Sequence, residues 1–216
     1  MLVNAKRGCF LLCSAFALLQ SSRTVSGEHK PRWRETKAET IYTERYSNCD
    51  YGYYVNLPKG VIAHGSHSPS PNHGVQLDLA VLNTTEPTTE NCQRCVWVTN
   101  EYNTLVQASF NEIASRELSF KSNAKEEFKV VRRVPRHLAG LTAIELTSDF
   151  REKSQDFVEE DIIAYRPPGG RRLGDIIYGI SLITPKSTYQ KDKQFLIQVV
   201  GGFHLSKLPL ASCSND

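Results

Sequence analysis

The sequence predicts an α+β domain, an antiparallel sheet of about six to seven strands flanked by two helices. Three observations predict it. From Leu141 to Leu182, apolar residues recur at every second position, in runs separated by turn-forming residues. Two other stretches, after Thr104 and after Ser187, repeat their apolar residues with helical spacing. No segment of the chain repeats another, which argues against a solenoid or propeller.

The elements follow in order. Tyr51 to Leu57 is aromatic and branched, and Pro58-Lys59-Gly60 closes it as a turn. Val61-Ile62-Ala63 reads as a short strand, and a Ser-, Pro-, Gly- and His-rich loop follows from Gly65 to Gly74. Val75 to Leu79 alternates with period two, and Val96-Trp97-Val98 is another short strand. Thr104-x-x-Gln107 has the form of a capping box, opening a helix whose face carries Val106, Phe110, Ile113, Ala114 and Leu118 and which ends over Lys121 to Lys125. Phe128 to Val134 reads as a strand stopped by Pro135.

In the next strand Ile144, Leu146, Ser148 and Phe150 share one face. Glu145, Thr147 and Asp149 share the other, the pattern of a half-buried strand. A turn over Arg151 to Asp156 leads to Val158, Ile162 and Ala164. After Pro167-Pro168-Gly169-Gly170, a strand marked by Ile176, Tyr178, Ile180 and Leu182 runs to Pro185. Ser187-x-x-Gln190 is a second capping-box pattern, Tyr189, Leu196, Val199 and Val200 give a helix face, and Gly201-Gly202 reads as its stop.

The first 27 residues read as an export signal. Lys6-Arg7 precedes the apolar run Gly8 to Leu19, which is shorter than a bilayer span, and small residues follow at Ser26 and Gly27. Bulky Leu11-Leu12 before Cys13 argue against a lipoprotein signal. Lys6, Arg7 and Arg23 account for the whole net charge of +3, so the remainder carries 23 basic and 23 acidic residues. A neutral body does not attract nucleic acid by bulk electrostatics. Residues 28–45 are charged and without periodicity and read as a flexible lead-in, and residues 46–216 as a single domain with no membrane-spanning segment. Beyond the signal stand four cysteines, Cys49, Cys92, Cys95 and Cys213, an even number suited to two disulfides in an oxidising compartment.

Gly140 to Leu146, the strands through Tyr165, Tyr178 to Leu182 and the helix from Ser187 to Val200 resemble the PsbP-like family. Tyr53 to Gly60 is similar to that family's first strand and Pro-Gly turn, so the resemblance covers about residues 50 to 203. The family takes its name from an extrinsic photosystem subunit and includes many uncharacterised exported bacterial proteins. The resemblance implies an α/β/α sandwich acting as a binding or assembly module, and it carries no catalytic residue. The His-rich loop and the four cysteines depart from the family pattern, so a photosystem role does not follow.

Several residues carry chemistry. His64, His67 and His73 fall within ten residues, and three imidazoles with a water suit tetrahedral zinc or copper, although the spacing matches no standard motif. Cys92-Gln93-Arg94-Cys95 has the spacing of a thiol–disulfide exchange pair, but Cys95 runs into strand-like residues rather than a helix. Ser66, Ser68 and Ser70 lie beside histidines without a nucleophile elbow. Glu159 and Asp161 share a strand face, and together with Glu160, Glu152 and Asp156 they read as a wet, charged hairpin. Lys129, Arg132, Arg133 and Arg136, and Arg166, Arg171 and Arg172, read as surface charge. Asn83-Thr84-Thr85 is a glycosylation sequon. The expected function is an exported, non-catalytic binding or accessory module for an unknown protein or small ligand. The alternatives are a zinc or copper protein built on the histidine loop and a thiol–disulfide exchanger.

Overall fold

The computed structural model describes residues 41–65, 73–79, 93–103, 108–168 and 175–206. The strands are β1 (Ile41–Tyr42), β2 (Arg45–Asn48), β3 (Tyr53–Asn56), β4 (Ala63–Gly65), β5 (Gly74–Asp78), β6 (Cys95–Tyr102), β7 (Glu126–Leu138), β8 (Leu141–Glu152), β9 (Gln155–Arg166), β10 (Ile176–Pro185) and β11 (Phe203–Leu205). Helix α1 (Phe110–Ala124) lies between β6 and β7, and α2 (Tyr189–Gly202) between β10 and β11. Eight strands form one antiparallel sheet in the order β1-β4-β5-β6-β10-β9-β8-β7, and β11-β3-β2 form a small second sheet.

The class is therefore the expected one, with more strands than the six to seven read from the sequence. The additional strands are short pieces such as β1, β2 and β11, two to four residues long, which carry too few side chains to show a period. β1 and the start of β2 also fall inside the stretch read as a flexible lead-in, so the folded body begins earlier than expected.

The long strands β7 to β10 are built by local chemistry. Two-residue loops join β7 to β8 at Ala139-Gly140 and β8 to β9 at Lys153-Ser154, and all four residues have positive φ. That is the hairpin geometry whose twist matches the flanking strands. β7 runs through Pro135 instead of stopping there. It pairs only with β8, and an edge strand can spare the missing N–H.

Both faces of the large sheet are covered. On one, Val75, Leu77, Val98, Ile162, Tyr178 and Ile180 pack with Leu196 and Val199 of α2 and with Tyr46, Tyr53, Val55 and Phe203 of the small sheet. On the other, Ile144, Leu146, Ile163 and Ile177 pack with Ile113 and Ala114 of α1. β8 is thus buried on both sides, because α2 lies over the polar face that the sequence assigned to solvent. Glu145 is 2% exposed and Thr147 8%.

The helix starts differ from the expected ones. α1 is capped by Ser109 and Glu112, whose side chains each accept from the other's backbone N–H. Thr104 to Gln107 lie outside the described residues. Thr188, not Ser187, is the N-cap of α2 and makes no side-chain cap bond. Gly201-Gly202 form the last turn of α2 rather than its stop. A Cβ on Gly202 would lie 2.3 Å from the Asn56 carbonyl oxygen, so glycine is what lets α2 approach β3.

In the core, Tyr53 stacks on Phe203 and meets Tyr46 and Tyr178 edge-on, and its hydroxyl donates to Asn100 Oδ1 at 2.6 Å. Tyr53→Phe keeps the packing and removes that bond, so it is expected to cost about 1 kcal/mol. Urea unfolding checks it, and a loss above about 3 kcal/mol would mean the ring packing is also disturbed.

Candidate functional site

The run Glu159-Glu160-Asp161 lies at the centre of β9, where alternation directs Glu159 and Asp161 toward α1 and Glu160 toward α2. All three are buried, at 2%, 1% and 1% exposure, which corrects the reading of a wet hairpin. Only the tip of that hairpin, with Glu152 and Asp156, is exposed. The cause is a set of cations laid down by the covering elements. Lys121 Nζ lies 3.1 Å from Glu159 Oε1 and 2.7 Å from Asp161 Oδ1, and Lys125 Nζ 2.6 Å from Glu159 Oε2. On the other face Lys193 Nζ sits 2.8 Å from Glu160 Oε2, and the Tyr189 hydroxyl donates to that oxygen at 2.5 Å. Arg132 and Arg136 both pair with buried Glu145, so this half of the first basic cluster is structural. Arg166 reaches the Gly52 carbonyl and the Tyr178 hydroxyl, while Arg171 and Arg172 lie outside the described residues.

Beside Lys121 the sheet and α1 enclose a cavity of about 300 Å³. Strand register builds its floor. Ser181 on β10 is the cross-strand neighbour of Trp97 on β6 and of Asp161 on β9, so the three form a row across the α1 face. In the next row Gly179 faces Thr99, whose Oγ1 would be 2.5 Å from a Cβ at that position. Ser181 Oγ donates to Asp161 Oδ1 at 2.5 Å. Asp161 Oδ2 is buried and has no hydrogen-bond partner among the described residues.

The wall from α1 carries Glu117 and Lys121, four apart and therefore on one side of the helix. Burial raises the Glu117 carboxyl above its ordinary range, nearby Lys121 pulls it back, and Glu101 and Asp161 push it up further. Burial alone would lower the Lys121 ammonium, but Asp161 and Glu159 outweigh it and the net direction is upward. The arrangement is a carboxylate-rich cleft with one committed ammonium, hydroxyls on its floor and the Trp97 ring on its far side.

The residues singled out from the sequence meet this site unevenly. His73 lines the cavity, its Nδ1 3.2 Å from the Asn100 carbonyl oxygen. His64 is buried on β4 opposite Gln76, about 10 Å along β5 from His73. His67, Ser66, Ser68, Ser70 and Asn83 lie outside the described residues, among which no group of three metal-binding side chains gathers. Cys95 opens β6, a strand start without the helix N-terminus that stabilises a thiolate, and Cys92 and Cys213 lie outside the described residues. From the sequence alone Glu117 is not singled out and Lys121 is given only as the end of a helix, although Glu117, Lys121 and Lys125 repeat at four-residue spacing.

No helix among the described residues is long and apolar enough to cross a membrane. No family model matches the chain, and no curated protein is significantly similar to it. Among the solved structures similar in fold are the following two. Cyanobacterial PsbP (CyanoP) from Synechocystis sp. PCC 6803 aligns at 15% identity and a TM-score of 0.50, over 76% of this chain and 92% of that one. LpqN of Mycobacterium tuberculosis, described as involved in cell envelope biogenesis, aligns at 10% identity and a TM-score of 0.54, over 77% of this chain and 92% of that one. With its antiparallel sheet covered by a helix on each face, the chain has the PsbP-like fold.

Proposed function

We propose that this chain is an exported, non-catalytic binding module that holds a small molecule in the cavity between α1 and the sheet. The observation that carries the reading is Asp161, a buried carboxylate with one oxygen unsatisfied on the wall of a 300 Å³ cavity. A buried acceptor without a donor is costly, and a bound ligand supplies the donor. Amide NMR with a fragment set tests it. Shifts should gather at Thr99, Gly179 and Ser181, and a set that perturbs no cavity residue overturns the reading.

Export is supported by the leader pattern, by LpqN's part in cell envelope biogenesis and by the cysteines. Cys49 and Cys95 are both half-cystines. Asn48 and Asp50, on either side of Cys49, contact Asn100 and Tyr102, and β6 runs about 17 Å from Cys95 to Asn100. A disulfide needs Cα atoms about 4.4 to 6.8 Å apart, which favours separate bridges for Cys49 and Cys95. The Ser206 N–H donates to the Gly52 carbonyl at 3.0 Å, returning the chain near Cys49 seven residues before Cys213. The proposed pairs are Cys49–Cys213 and Cys92–Cys95. Intact-mass and peptide analysis of the secreted protein should show a start near residue 27 and a linked peptide joining Cys49 to Cys213. A full-length chain with four alkylatable thiols beyond the leader would refute export and pairing together.

A further inference from the structure

We infer that the cavity beside α1 selects a small organic cation, its ammonium at Asp161 and its apolar body against Trp97. The inference rests on the reading of that cavity as the ligand site.

The charges at and around the cavity do not balance. Glu101, Glu117 and Asp161 line it together with Lys121 and His73, and Glu159, Arg116 and Lys125 stand beside these groups in ion pairs, so four carboxylates meet three cations. Each of these cations is already committed. Arg116 pairs with Glu101 at 3.0 Å, Lys125 with Glu159 at 2.6 Å, and Lys121 with Glu159 Oε1 and Asp161 Oδ1. Glu117 makes no ion pair among the described residues, and Asp161 Oδ2 accepts no hydrogen bond there. One negative charge is left over in a partly enclosed, low-dielectric space, where a single added positive charge gains most.

The cavity's shape selects the kind of cation. Its volume of about 300 Å³ far exceeds a bare ion, and Ile163 and Ile177 give it apolar wall. Trp97 stands two strands from Asp161 in the same cross-sheet row, a separation of about 10 Å. A ligand with its charge at one end and a compact apolar body at the other spans that distance, its body packed against the indole ring. Neither a neutral nor an anionic ligand satisfies the leftover charge.

Three probes of nearly equal size separate the possibilities: 2-phenylethylammonium, 2-phenylethanol and phenylacetate, titrated into the protein with amide NMR as readout. The ammonium is expected to bind at Thr99, Gly179 and Ser181, at least tenfold more tightly than the other two. Asp161→Asn should weaken it by about 30-fold or more, since a desolvated charge pair loses one partner. Glu117→Gln, on the less buried helix wall, should weaken it by about threefold without disturbing the fold. Equal binding of the alcohol or of phenylacetate at those residues overturns charge selection and leaves the cavity as a ligand site. If none of the three moves a cavity resonance, both the inference and the underlying reading fail.

Discussion

Lys121→Met is expected to destabilise the protein by about 3 to 5 kcal/mol, the cost of leaving buried carboxylates without their cation. Methionine fills nearly the same volume, so little of the effect comes from packing. Glu159 keeps Lys125, but Asp161 is left with only the Ser181 hydroxyl, at 1% exposure. Urea unfolding at neutral pH measures the loss. The combined variant Lys121→Met, Glu159→Gln, Asp161→Asn removes charge from both sides and should regain most of it, because the penalty lies in the imbalance. A single-variant loss under about 1 kcal/mol would show that water reaches the cluster and screens it.

Asp192→Ala is expected to cost a similar amount, about 3 to 5 kcal/mol, for a different reason. Asp192 lies in the first turn of α2 and is completely buried, yet both its carboxylate oxygens meet hydrogen-bond donors. Arg94 Nε and Nη2 donate to its two oxygens at 2.6 and 2.5 Å, and Thr184 Oγ1 donates at 2.5 Å. These bonds tie the start of α2 to the segment before β6 and to the end of β10. Removing the carboxylate strands a guanidinium and a hydroxyl together.

The pH dependence follows in sign. Burial alone would raise the Asp192 carboxyl, but bonds from Arg94, Thr184 and Thr188 outweigh it, so its folded-state pKa lies below the ordinary value. A carboxyl depressed by folding contributes stability that is fully present above its unfolded pKa of about 3.9. That contribution is lost as pH falls through the folded value. Asp192→Asn should therefore flatten the acid limb of the stability curve and lower its neutral plateau. An unchanged acid limb would assign the acid sensitivity to another group.

The fold was legible where the sequence is periodic. In β8 to β10 each residue's face follows from alternation, and Ile113 and Ala114 of α1 were assigned to the core from spacing alone. The cap was missed because Thr104…Gln107 and Ser109…Glu112 carry the same signature about one turn apart, and spacing cannot rank them. Pro135 misled because its cost depends on whether a strand is an edge, which is a tertiary property. The site was legible only in half. Alternation gave the face of Glu159 and Asp161, but their partners Lys121 and Lys125 lie 34 to 40 residues away in sequence, at the end of α1. Three adjacent acids look solvated until the helices that cover them are in place.

The same acids constrain how the strands can assemble. Were β9 to pair with its neighbours one residue out of step, Glu159 and Asp161 would turn toward α2 and Glu160 toward α1. Two carboxylates would then compete for Lys193, while Lys121 and Lys125 crowded around one. A purely greasy strand would tolerate such a slip far better, so this charged triplet discriminates against misaligned hairpins during folding.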